Sequence, residues 1–280
     1  MNINDLTLGP LKTVAELMDL RESLADSSTP APRLAFRGQP RSYGTLVPSF
    51  QRQFSRQSYA TAELIERRLI EDFRVHYGKL RDRSSDMPQP NSIDARFDLR
   101  CLSVMQHYEI PTRLLDWTSH FWTALYFACA SDPGEMAELW YYDRSLFDAQ
   151  LAQAPALRAW LDQSPAPPPE PPFLHNRRQA LLVELDPQLT PRMKQQAAHH
   201  TVSADVFSDH GPLLFALVGS NNAPPSGGLR RFLIDPACKS KALQFLADHE
   251  GITASTIFPD VVGLGRFLRW QFESLRTMLL

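Results

Sequence analysis

The chain has 280 residues, 43% apolar and 21% charged, with a net charge of −2. Those proportions are ordinary for a globular protein and suffice for a sizeable core, as one large domain or two small ones. They exclude a molecule-wide field that would draw the chain to nucleic acid or an anionic membrane, and leave room for a local basic groove. Cys101, Cys129 and Cys238 are scattered and match no zinc spacing, which predicts reduced structural thiols. The N-terminal MNINDLTLGPLKT lacks the basic and apolar regions of a secretory signal, and no apolar run is long enough for a bilayer. A soluble, cytoplasmic protein without a membrane partner is expected.

In chain order, Leu11 to Leu24 reads as a short helix within an N-terminal helical segment, residues 1–30, broken by Pro30 and Pro32. Leu34 to Phe36 reads as a strand ending in Arg37 and Gly38. Loop chemistry follows around Pro40, Gly44 and Pro48. Ile65, Leu69, Phe73 and Tyr77 recur every four residues and predict an amphipathic helix from Tyr59 to Tyr77. Asp82 to Ser92 is a polar surface loop. Arg96 to Tyr108 resumes the helical pattern until Pro111 stops it. Leu114 and Leu115 fit a buried strand, and Thr118 or Ser119 can cap the helix that follows.

Ala137–Tyr142 and Ala180–Leu185 read as strands, with a proline-rich excursion, Ser164–Pro172, between them. Thr201–Val206 and Leu213–Val218 fit a strand pair, and Leu229–Ile234 another strand. Ala242–His249 is a helix closed by Gly251. Ile252–Phe258 is β-rich, and Leu264, Phe267, Leu268, Phe272 and Leu275 place a final helix face on the core. Strands and helices mix without regular βαβ alternation, which predicts an α+β fold.

The densest chemistry lies in Met105–Ala130, where Gln106, His107, Tyr108, Thr112, Arg113, Asp116 and Thr118 crowd an apolar stretch. Polar groups buried there need partners, so a site explains the cluster better than packing does. Arg37 beside Gly38 suits bidentate phosphate binding with close backbone approach, or else a structural ion pair. Asp116, among Leu114, Leu115 and Trp117, calls for a partner, Arg113 or Arg37. It could orient that arginine, bind a ribose hydroxyl or cap a helix. His107 could be a general base, although a structural role is commoner for a lone histidine. His199, His200 and His210 lack the companions that a metal site needs. Gly263 and Gly265 fit a helix-start turn, and Arg177–Arg178 and Arg230–Arg231 fit solvated surface. No GxGxxG, Walker A loop or GxSxG elbow is present.

Three separated motifs resemble the FRG domain family. They are FRGQ at Phe36–Gln39 with Leu46, Pro48 and Ser49, then QHYEIPTRLLDWT with ALYFA over Gln106–Ala128, and more diffusely RMKQQAAHHT at Arg192–Thr201. In the last, Ala198 replaces the family's glycine and His200 its phenylalanine; STIFPD at Ser255–Asp260 also matches. The resemblance implies an FRG domain over residues 31–280 with the proline-rich run as an insertion. The motif order is similar to that of ADP-ribosyltransferase domains, which implies a split β core with flanking helices and NAD as the substrate-cofactor, with no metal. By that resemblance Arg37, Asp116 and Gln196 take catalytic positions. Arg37, Gly38, Gln39, Gln106, His107, Tyr108, Thr112, Arg113, Thr118, Tyr126 and Arg192 hold the NAD. Gln196 stands where such transferases carry an acidic residue, and it has no charge to stabilise an oxocarbenium-like centre. The implied function is ADP-ribosyl transfer to a macromolecule, protein or nucleic acid, by a toxin or phage-defence effector with an antitoxin or defence-system partner. The alternatives are a noncatalytic nucleotide-sensing module and a metal-independent nuclease using Arg37, His107 and Asp116.

Overall fold

The computed structural model describes residues 7–24, 33–54, 59–80, 96–145, 147, 182–185, 190–218 and 228–279. The expected loop at Asp82–Ser92 and the proline-rich run Ser164–Pro172 lie outside the described residues. Among the described residues, seven strands, β1 (Thr7–Leu11), β2 (Leu34–Gln39), β3 (Leu114–Thr118), β4 (Ala137–Asp143), β5 (Leu182–Leu185), β6 (Ala198–Ser203) and β7 (Arg230–Ile234), form one sheet. Its order is β1-β7-β4-β2-β3-β6-β5, with β1 parallel to β7 and every other pair antiparallel. The helices are α1 (Val14–Leu24), α2 (Tyr59–Leu80), α3 (Arg96–His107), α4 (Phe121–Cys129), α5 (Pro191–Gln195), α6 (His210–Val218), α7 (Pro236–His249), α8 (Ala254–Ile257) and α9 (Val261–Leu279). The architecture is α+β, with helices on both faces of an open mixed sheet.

Strand alternation divides the core. Phe36, Leu139 and Tyr141 face α4 and α7, meeting Phe121, Ala124 and Cys238. Ala35, Leu115, Trp117, Trp140 and Tyr142 face the other way and meet Leu214 of α6. Because both faces are covered, all of β4 up to Tyr142 is buried. Its internal carboxylate, Glu138, is fully enclosed and must be satisfied by protein. Gln39, Ser42, Gly44 N–H, Trp140 and Arg231 all donate to it. Arg231 is therefore a buried ion-pair partner, not the solvated surface group that its sequence context suggests.

Several expected elements change type. Leu11 belongs to β1, so the N-terminal segment contributes an edge strand as well as the helix that buries Leu17. Residues 213–218 lie in α6 and not in a strand, because LLFALV is apolar on every side and carries neither period. Ile252–Phe258 contains the short helix α8, whose Thr253–Thr256 capping box outweighs local β-propensity. Helix α7 begins six residues before its expected start, where Asp235 accepts from Ala237 N–H and Pro236 occupies the first turn. In α9, Leu264, Leu268 and Phe272 are exposed; Phe267 packs on the core instead. Gly263 lies inside that helix, backed against the Phe258 carbonyl.

Candidate functional site

Strands β2 and β3 share a single matched pair, Phe36 with Thr118, whereas β2 and β4 match along the whole of β2. The sheet therefore opens beyond Phe36, and a cavity of about 720 Å³ lies at that opening. Phe36, Gly38, Asp116 and Thr118 of the sheet meet Tyr126 and Phe127 of α4 there. Arg192, Gln196, Phe258, Arg266, Arg269 and Trp270 complete the wall on the far side.

Asp116 is the carboxylate on the cavity floor. Its side chain is 49% exposed, its Oδ1 lies 2.8 Å from His200 Nδ1, and its Oδ2 accepts from Gln106 Nε2 at 3.0 Å. Gln106 is itself fixed, since its Oε1 accepts from Thr112 Oγ1 at 2.6 Å. Thr112 Oγ1 in turn accepts from Leu114 N–H. Burial raises the Asp116 carboxyl, but His200, Arg37 and Gln106 together outweigh it and hold the group below its ordinary value. The carboxylate is thus charged, braced and aimed into the cavity. Its partner is His200 and not either of the arginines expected from sequence.

Arg37 borders the same cavity but approaches from elsewhere. Alternation along β2 sends its side chain to the side shared by Ala35, Trp117 and Trp140, and its Nη1 returns to donate to the Asp116 carbonyl at 2.8 Å. It thereby replaces a ladder bond lost where β2 and β3 part. Burial lowers its guanidinium to about 10, and its Nε has no partner among the described residues.

Other expected site residues are held in structural contacts, and of these Gly38, Thr118 and Gln196 also line the cavity. A Cβ on Gly38 would stand 1.9 Å from the Ala124 carbonyl, so the glycine admits helix α4 against the strand, not a ligand against the backbone. Gln39 is enclosed in the Glu138 network. Arg113 is buried against Glu66 and donates to the carbonyls of Ser203 and Ala204. Thr118 Oγ1 donates to Gln196 O and accepts from His120 N–H, so it ties the β3–α4 turn to the end of α5 and is not the helix cap itself. Gln196 donates through Nε2 to Ile257 O. His107 meets Thr190, its carbonyl accepts from Arg192, and Tyr108 is 56% exposed; neither lines the cavity. His210 bonds Thr201 and His199 is buried; among the described residues no group of histidines, cysteines and carboxylates is placed to hold a metal.

The sequence reading missed Glu109, Phe258, Arg266, Arg269 and Trp270 as site residues. Arg266, Arg269 and Trp270 recur at helical spacing on one side of α9, which is the signal that could have found them. The three cysteines are free and buried, and no helix among the described residues is long and apolar enough to cross a membrane.

No curated protein and no solved structure matches the chain. A family model described as FRG domain matches residues 32–136, covering the FRGQ strand, the Gln106–Thr118 cluster and α4 but stopping short of the Arg192–Thr201 and Ser255–Asp260 runs. Those matched residues supply the opened strand pair, the Asp116 floor and the helix packed on Gly38, and it is this segment that is similar to an FRG domain.

Proposed function

We propose that the cavity binds NAD and that the protein transfers ADP-ribose to a macromolecular acceptor, protein or nucleic acid. The observation that carries this reading is one charged, braced carboxylate, Asp116, on the floor of a cavity whose rim is cationic. Its volume is within the usual range for cofactor sites, and Tyr126, Phe127, Phe258 and Trp270 give its wall aromatic surface. In ADP-ribosyl transfer the bond from ribose C1′ to the nicotinamide nitrogen breaks, and nicotinamide leaves neutral while C1′ gains positive charge. The acceptor then forms its bond to C1′ and releases its proton. A fixed carboxylate stabilises that developing cation or accepts from the ribose hydroxyls, and a bent, desolvated substrate needs little further chemistry. The opening of the sheet between β2 and β3 supports the split core of ADP-ribosyltransferases. In this reading Asp116 takes the electrostatic role and Gln196 holds the wall. A toxin or phage-defence effector restrained by an antitoxin or defence-system partner fits such an activity.

A second reading, a noncatalytic nucleotide sensor, is favoured by Gln196, an uncharged residue whose amide is already committed to Ile257 O. Calorimetric titration with NAD, beside label transfer from NAD to lysate, separates the two. Saturable binding with transfer that Asp116→Asn abolishes supports the transferase. Binding without turnover supports the sensor, and no NAD affinity at millimolar ligand sinks both.

A further inference from the structure

We propose that Arg192 and Arg266 form a phosphate subsite at the cavity rim, with Glu109 as its resting counter-ion. This deepens the reading of the cavity as a nucleotide site and rests on it. Both guanidiniums lie over the ring of Phe258, at 4.3 and 4.7 Å from its centre. Phe258 is 6% exposed and anchored between α8 and α9, so the ring is a fixed platform. Stacking uses the flat face of a guanidinium and leaves its edge N–H donors to meet a ligand.

Holding two like charges on one ring is unfavourable without an anion. Arg192 is half-buried, makes no ion pair among the described residues, and donates to the neutral His107 carbonyl at 3.2 Å. Burial and the Arg266 charge both lower its pKa, while Glu109 first, then Asp116 and Asp260, oppose them. Glu109 meets Arg266 at 3.5 Å with 69% of its side chain exposed. That separation exceeds the roughly 2.7–2.9 Å of a strong charge-assisted bond, so the carboxylate is loosely held and displaceable. A phosphate has more acceptor oxygens and more charge than a carboxylate, so it competes well for the edge donors of a guanidinium.

Calorimetric titration of the full chain with ADP-ribose, adenosine and inorganic pyrophosphate tests this, using wild type, Arg192→Gln, Arg266→Gln and Glu109→Gln, each checked for an unchanged melting curve. Either arginine variant should weaken ADP-ribose and pyrophosphate binding about tenfold or more, as expected for a lost charge-assisted bond, and leave adenosine unchanged. Glu109→Gln should tighten both anions several-fold. Wild-type binding of ADP-ribose that neither arginine variant weakens overturns the subsite and leaves the nucleotide reading intact. Pyrophosphate binding lost in the variants, without any nucleotide binding, supports the subsite and overturns the nucleotide reading. Wild type that binds neither anion overturns both.

Discussion

His200 Nδ1 lies 2.8 Å from Asp116 Oδ1, across a β3–β6 register in which the two residues are directly paired. The contact is an electrostatic one between ring and carboxylate, and the ring is enclosed at 2% exposure. His200 does not line the cavity, so it positions Asp116 and does not itself meet a ligand. His200→Ala removes the largest force holding the Asp116 carboxyl down and leaves the burial that raises it. The carboxyl should then titrate at higher pH, and NAD affinity should be lost at a higher pH than in wild type. Carboxyl NMR titration beside NAD titration across acidic pH reads both. An unmoved Asp116 titration would show that the contact carries no electrostatic weight.

Gly38→Ala should destabilise the fold severely. A Cβ there meets the Ala124 carbonyl at 1.9 Å and the Ala128 amide nitrogen at 2.5 Å, both helix backbone, which cannot step aside like a side-chain tip. Relief requires α4 to move off β2, opening the cluster of Phe36, Phe121 and Leu139. The cost should be about 3 kcal/mol or more, the upper end for overpacking, read by urea denaturation. A variant as stable as wild type would return the glycine to a ligand-facing role.

This glycine shows where sequence reasoning is informative and where it stops. That position 38 needs something unusually small is visible in the sequence; what approaches it depends on α4, more than eighty residues on. The same holds for Asp116. The need for a buried partner is legible from Leu114, Leu115 and Trp117, but His200 becomes that partner through β6 pairing, which no local pattern specifies. Strands with β-rich runs bounded by turns, such as β3 and β4, are readable because local period and burial agree, whereas the four-residue repeat of α2 marks the helix but not its inner face, which buries Ala62, Glu66 and Ile70 and exposes Ile65. The α6 segment is not, since a wholly apolar run has no period to read. The rim arginines escape because α9 exposes Leu264, Leu268 and Phe272, and those apolar residues mislead any assignment of the inner face.

Arg113 and Glu66 make a buried pair, at 2% and 6% side-chain exposure, that joins α2 to β3. Arg113 also donates to Ser203 and Ala204 carbonyls at the end of β6, so it organises three elements at once. Glu66→Ala should cost about 3–5 kcal/mol, because it leaves an uncompensated guanidinium in the interior. Replacing both residues, Glu66→Leu with Arg113→Met, should recover much of that loss, since two apolar groups of similar bulk avoid the desolvation of both charges. Chemical denaturation of the single and double variants decides the matter. A double variant no better than Glu66→Ala would mean that the carbonyl contacts of Arg113 dominate.

The last prediction is a loss of stability in mild acid, arising from two histidines remote from any ligand role. His199 and His210 are each 1% exposed. Burial first, then Arg144 and His200 for one ring, and Arg37 and Arg113 for the other, lower both from 6.5 to about 3. In the unfolded chain each takes a proton near 6.5, while the folded chain refuses it until about 3. The unfolded state therefore binds more protons throughout that interval. Their contribution is complete above 6.5 and is lost as the pH falls toward 3. Asp116 adds a loss only below its ordinary 3.8, while His107, lowered by burial and by Arg192, adds to the decline of these two histidines above that point. Urea denaturation at about pH 7, 6 and 5 should show stability falling by up to about 1.4 kcal/mol per pH unit for each histidine. His210→Asn keeps a polar group beside Thr201 and cannot titrate, so its decline should be shallower than that of wild type. Equal slopes for the two proteins would mean that His210 is protonated in the fold.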